Sequence, residues 1–147
     1  MKKFIAKLLV GDVVEKHEVD AAFDDVIASL EKAVANNLFG IQAVHDLKET
    51  YQNKKIALDP DFEYKIVQIC NAPKSHKALQ EMSYDMGIMM PKSIIVAREN
   101  NKTNLRFMKM KPWMVSMMFP ELNVAPLSKH VTEIMRKIVQ ETIKNAK

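Results

Sequence analysis

The residues of this chain that could do chemistry gather around its single cysteine. Cys70-Asn71-Ala72-Pro73-Lys74 follows a run of strand type and opens one of helical type. A thiol at the start of a helix meets free backbone N–H groups and the positive end of the helix dipole, which favour the thiolate. Lys74, His76 and Lys77 fall in the first turns of that helix, where acidic residues are usual. The inverted charge suits a small oxyanion, or a persulfide-type thiol reaction at Cys70, with Lys74, His76 or Lys92 as positive partners. The expected pocket gathers Cys70, Asn71, the helix start and the loop from Tyr84 to Lys92, which Gly87 and Pro91 punctuate. Cys70 is thus the one catalytic candidate, and Asn71, Lys74, His76, Gly87, Lys92 and Asp46 are the ligand-binding candidates. Asp46 stands at a strand exit, where such a side chain more often forms a turn than acts as a catalyst. The ordinary alternative is that Cys70 is a small core residue and the lysines are merely solvated.

Other chemistries find little support. His17, His45, His76 and His130 are scattered, and neither His-Glu-x-x-His nor Cys-x-x-Cys occurs, so no metal site is expected and no cofactor is implied. His45 and Asp46 are adjacent, and adjacent strand residues point to opposite faces, which prevents the carboxylate from orienting the imidazole unless the strand ends there. No phosphate-cradling glycine loop and no serine elbow occur. The chain has 11 methionines. Thioethers with a cysteine and a histidine are soft ligands for Cu(I), but these methionines lack a ligand spacing. Methionine also fills irregular cores and pliable binding surfaces. A Met-lined apolar pocket or dimer surface from Met86–Met90 and Trp113–Met118 is a stronger reading than copper, and plain core packing is stronger still.

The elements that must position these groups fit one domain. A chain of 147 residues is long enough to bury one core and short for two, so residues 1–147 are read as a single domain, with 1–11 a possible N-terminal extension. The apolar share of 48% and charged share of 27% exclude disorder and fibrous repeats. A net charge of +4 permits weak attraction to anions, but the lysines are spread out and no basic cluster predicts nucleic-acid binding. One cysteine cannot form an internal disulfide, which makes a reducing cytoplasm the expected compartment. The opening Met1–Val10 run is broken by Lys7 and meets Gly11-Asp12 without a small-x-small site, so a signal peptide is not expected. No stretch approaches the roughly 20 apolar residues of a membrane span, and no membrane partner is expected.

Residues 1–10 mix strand and helix signals. Asp20 then reads as the N-cap of an amphipathic helix carrying Phe23, Val26, Ile27, Leu30 and Val34, closed by Asn36-Asn37 in the left-handed conformation. A half-buried strand follows over 38–45, then a turn at Asp59-Pro60-Asp61 and a central strand from Phe62 to Ile69. Pro73 suits the start of the next helix, with Asn71 or Ala72 as cap. Ser93–Ala97 and Asn104–Met108 read as a hairpin whose turn uses Asn100-Asn101. A short helix over 111–118 is expected, then a loop between Pro120 and Pro126. Ser128 caps a final helix striped by Val131, Ile134, Met135, Ile138, Val139 and Ile143. This order predicts an α+β fold: two layers, a mainly antiparallel sheet of four to five strands, and helices on one face.

Phe39-Gly40, Asp46, Tyr64-Lys65-Ile66, Cys70-Asn71-Ala72-Pro73, Leu79, Gly87 and Pro91 before Ile94-Ile95-Val96 together carry a resemblance. Over about residues 12–147 the chain resembles the domain-of-unknown-function 302 family. That resemblance implies a compact two-layer α+β fold, frequently dimeric, without a settled activity; some relatives occur in sulfur-oxidising contexts. The family commonly has a second cysteine where this chain has Lys92, and a glycine where it has Leu38. The first departure removes any two-thiol couple within one subunit. The function expected is binding of a small ligand or anion, in a homodimer. Thiol or sulfur-transfer chemistry at Cys70, or a structural homodimer without a pocket, are the alternatives.

Overall fold

A computed structural model describes residues 1–146, apart from the side chain of Val10; Lys147, the last residue of the expected 1–147 domain, lies outside the described residues. Apolar alternation lays down five strands: β1 (Val14–Val19), β2 (Gly40–Asp46), β3 (Tyr64–Cys70), β4 (Lys92–Glu99) and β5 (Lys102–Met108). They form one antiparallel sheet in the order β1-β5-β4-β3-β2. The β4–β5 hairpin turns on Asn100 and Asn101, at φ 53° and 60°. Asparagine tolerates that left-handed geometry, as the sequence predicts.

Among the described residues there are six α-helices: α1 (Lys2–Val10) precedes the sheet, α2 (Phe23–Asn36), α3 (Leu47–Asn53) and α4 (Ala72–Glu81) connect strands, and α5 (Pro112–Met118) and α6 (Ala125–Asn145) follow β5. The apolar stripes of α2 and α6 pack on each other and on one face of the sheet, burying Val26, Leu30, Ile69, Ile94, Leu105 and Ile138 completely. This is the expected α+β arrangement. A second, smaller apolar cluster joins Met86, Val115 and Val124.

Local differences from the sequence reading each have a cause. Residues 2–10 are helical. The cap of α2 is Ala22 rather than Asp20, because Thr103 Oγ1 holds the Ala21 carbonyl at 3.0 Å and keeps the chain extended, while Asp24 and Asp25 supply the acidic first turn. Asn37 is not left-handed. Its Nδ2 donates to the Ala33 carbonyl and to Glu141 of α6, both at 2.8 Å, and Leu38 takes the left-handed position at φ 64°. Ser128 does not cap α6, which begins at Ala125 with Pro126 in its first turn. Pro126 therefore belongs to the helix rather than to the preceding loop, since its missing N–H costs nothing there.

One ion cluster ties the edge strand to this layer. Arg136 of α6 donates to both carboxylate oxygens of Glu15 in β1, at 2.6–3.1 Å, and His17 Nε2 lies 3.0 Å from the same carboxylate. Hydrogen bonding from Arg136 lowers the Glu15 carboxyl to about 2, against the desolvation that would raise it.

Candidate functional site

Cys70 ends β3 and Asn71 caps α4, its Oδ1 accepting from Lys74 N at 3.1 Å. The backbone donors expected to face an anion are largely spent. Pro73 has none, Lys74 N goes to the Asn71 side chain and Ser75 N to the Asn71 carbonyl. The Cys70 thiol, half-buried, donates to Ser75 Oγ at 3.3 Å, and that hydroxyl donates to the Ala72 carbonyl at 3.0 Å. The helix start is thus organised by its own residues, and positive charge at this place comes from side chains.

Beside it is a cavity of about 120 Å³. Its place follows from the core. Ile69 and Met135 belong to the main apolar cluster, Met86, Val115 and Val124 to the smaller one, and all five wall the cavity. Two clusters built on different elements meet here without filling the seam. Methionines from three segments face it: Met86, Met89 and Met90 before β4, Met108 and Met110 at and beyond the end of β5, and Met135 of α6. The volume is a little under the ~150 Å³ of an apolar protein cavity able to hold benzene.

Polar groups enter the wall from three parts of the chain. Cys70, Asn71, Lys74 and Ser75 come from the β3–α4 junction, Lys92 from the first position of β4, and Ser128, His130 and Thr132 from α6. Lys92 pairs in register with Ile69, which is fully buried, so its side chain leaves the sheet on the helix-covered face. No ion-pair or hydrogen-bond partner for Lys92 is found among the described residues, and burial alone pushes its amine below the ordinary lysine range. Lys74 is exposed and its Nζ lies 3.0 Å from His130 Nε2.

Of the residues singled out from the sequence, Cys70, Asn71, Lys74 and Lys92 line the cavity, and three do not. Asp46 pairs with Lys65 while Cys70 pairs with Gly40. Five strand residues, about 17 Å, separate the two ends. Asp46 instead caps α3, accepting from Glu49 N at 3.1 Å, and its carboxylate lies 3.6 Å from Lys65 Nζ. His76 is exposed on the side of α4 away from Lys74, Ser75 and Ala78, the three residues that line the cavity. Gly87 lies in a 3₁₀ turn (Tyr84–Met89) at ordinary φ, and a Cβ there would meet nothing closer than Leu79 Cδ2 at 3.9 Å, so no close approach demands glycine. The Met-lined surface expected from two segments divides: Met86, Met89 and Met90 face the cavity, whereas Trp113, Met117 and Met118 are exposed. The contribution of Ser128, His130 and Thr132 was not legible in the sequence, because they lie more than 50 residues beyond Cys70 and only the packing of α6 in the tertiary structure brings them back. Among the described residues no group of three or more His, Cys, Asp or Glu is placed to hold a metal ion, and no helix is long and apolar enough to cross a membrane.

The family model for the domain of unknown function DUF302 matches residues 15–142. The chain belongs to the DUF302 family. A crystal structure described as an uncharacterized conserved DUF302 protein from Bacillus stearothermophilus superposes with a TM-score of 0.76 at 18% identity, covering 88% of this chain and 98% of that one. At that identity the likeness concerns the fold. No curated protein matches the chain. The DUF302 match begins at Glu15, in β1, so α1 lies outside it.

Proposed function

We propose that this DUF302 protein binds a small apolar molecule carrying one anionic group, with the apolar part among the methionines and the anion at Lys92. The observation that supports this is Lys92 itself: an amine with no partner among the described residues, in the wall of a cavity lined mainly by methionines and other apolar side chains. A buried charge is costly unless paired, and a ligand carboxylate or sulfonate supplies the pair. Methionine walls adapt to the shape of the apolar part. Lys74 at the rim adds a second, solvent-screened positive charge.

Calorimetry with hexanoate, hexanol and hexylamine tests the reading. Hexanoate is expected to bind best and hexylamine worst. Equal affinity for hexanoate and hexanol would remove the anionic half of the proposal, and unchanged hexanoate binding by Met89→Trp, which fills the cavity, would remove the site.

Thiol or sulfur-transfer chemistry at Cys70 is the alternative that has its own observation, a sulfur in the same wall as Lys92. Under the binding reading Cys70→Ser keeps hexanoate affinity within about twofold, whereas a nucleophile does not survive the exchange. The homodimer expected from the family has its candidate surface in the exposed Trp113, Met117 and Ile88, and sedimentation of wild type against Trp113→Ser with Met117→Ser tests it.

A further inference from the structure

Helix α1 carries Phe4, Ile5, Leu8 and Leu9 at spacings of three and four, which places them along one side of nine residues, with Lys3 and Lys7 on the other. A helix of a water-soluble domain turns such a stripe to the core. Here the stripe faces outward: Phe4 is 74% exposed, Leu8 70%, Leu9 58% and Ile5 47%. The helix is nevertheless held at its end. Gly11 N closes it on the Lys7 carbonyl at 2.9 Å, Lys7 Nζ lies 3.7 Å from Asp12, and Lys111 Nζ reaches the Leu9 carbonyl at 3.4 Å. Other exposed apolar side chains are Val14, just after α1 in the chain, its strand partner Met108, and Trp113, two residues after the Lys111 that holds α1.

What covers this face must be apolar and negative at once. Residues 1–11 contain three lysines and no acid, and Lys2 and Lys3 have no ion-pair partner among the described residues. A second copy of the same helix would bring its lysines with no carboxylate in the helix to offset them. We infer that α1 docks the protein on an anionic lipid surface, lying in the interface with Phe4, Ile5, Leu8 and Leu9 toward the acyl chains and Lys2, Lys3 and Lys7 among the headgroups. A surface-lying helix departs from the expectation of no membrane partner, which the lack of a spanning segment suggests. Nine residues reach about 14 Å, half a hydrocarbon core, but a surface-lying helix needs no spanning length. Trp113 is the side-chain type enriched at that depth. The inference does not rest on the ligand reading, since α1 contributes nothing to the cavity wall.

Co-sedimentation of the full chain with phosphatidylcholine vesicles, with and without phosphatidylglycerol, decides it. Binding is expected to be at least tenfold stronger with phosphatidylglycerol and to weaken with added salt. Each lysine near such a surface is worth about fivefold in partitioning, so Lys2→Glu with Lys3→Glu is expected to cost about 25-fold or more. Phe4→Ser with Leu8→Ser is expected to abolish sedimentation while leaving the circular dichroism and Tm of the domain unchanged, because neither residue belongs to a core. Equal binding to both vesicle types, or binding that survives Phe4→Ser with Leu8→Ser, overturns the proposal. A dimer in solution that the same double variant dissolves also overturns it, by assigning the face to a second copy.

Discussion

Lys74 Nζ lies 3.0 Å from His130 Nε2, joining the first turn of α4 to α6 beside the methionine cavity. The ammonium has only donors, so in this contact it is the lysine that donates. Lys74 thus already has a partner and is exposed, whereas Lys92, in the same wall, is half-buried and has no partner among the described residues.

The two lysines should therefore differ in what they give an anionic ligand. Hexanoate affinity is expected to fall about tenfold or more in Lys92→Met, where a charge-assisted contact in apolar surroundings is lost. In Lys74→Met it is expected to fall no more than about threefold, as for other exposed charges. Calorimetric titration of both variants checks the ranking, and the reverse order would move the anion to the α4 side.

Lys92→Met is also expected to stabilise the free protein, by about 1 kcal/mol at neutral pH, since it removes the cost of a half-buried, unpaired amine. The folded-state value is lowered, so the unfolded chain binds the extra proton and wild-type stability rises with pH through the window between the two values. The advantage of the variant should accordingly shrink toward alkaline pH. Urea unfolding of both proteins across that range measures it.

Acid stability is expected to depend on Glu15. Its carboxyl is held at about 2 by Arg136, below the ordinary 4.5, so its contribution is fully present above pH 4.5 and lost as pH falls toward 2. Glu15→Gln should cost about 2 kcal/mol near neutrality, allowing for the partly exposed arginine, and almost nothing at the acid end. Unfolding midpoints of the two proteins should converge between those pH values; a constant difference would mean that packing rather than charge explains the loss.

Leu38→Gly is expected to raise stability. Leu38 is 80% exposed at φ 64°, so its side chain gains almost no burial while its backbone holds a strained conformation. Relief of that strain, less the added flexibility of the unfolded glycine chain, leaves about 0.5–1 kcal/mol. Thermal unfolding checks the direction, and Leu38→Ala, which keeps the strain, should not reproduce the gain.

Much of the architecture was legible from short-range patterns. The stripes of α2 and α6, the Asn100-Asn101 turn and Asn71 ahead of Pro73 are local consequences of residue type. The caps read at Asp20 and Ser128 failed because a cap competes with whatever else grips the chain, here Thr103 on Ala21 and Pro126 in the first turn of α6. Gly87 and Asp46 fall outside the cavity wall for a related reason: a glycine or a turn-forming aspartate marks local geometry, and neither has to share a wall with Cys70.

The sequence by itself determined the α+β order of elements, the family signature around Cys70, and the lysine where relatives commonly have a second cysteine. Only the tertiary structure decided that Lys92 shares a wall with Cys70, six methionines and His130, and that Asp46 does not. Periodicity reaches a few residues along the chain and sets which face a side chain takes. The cavity is a property of how two apolar clusters from distant segments fail to merge, and strand register with the packing of α6 on α2 and α5 settles that.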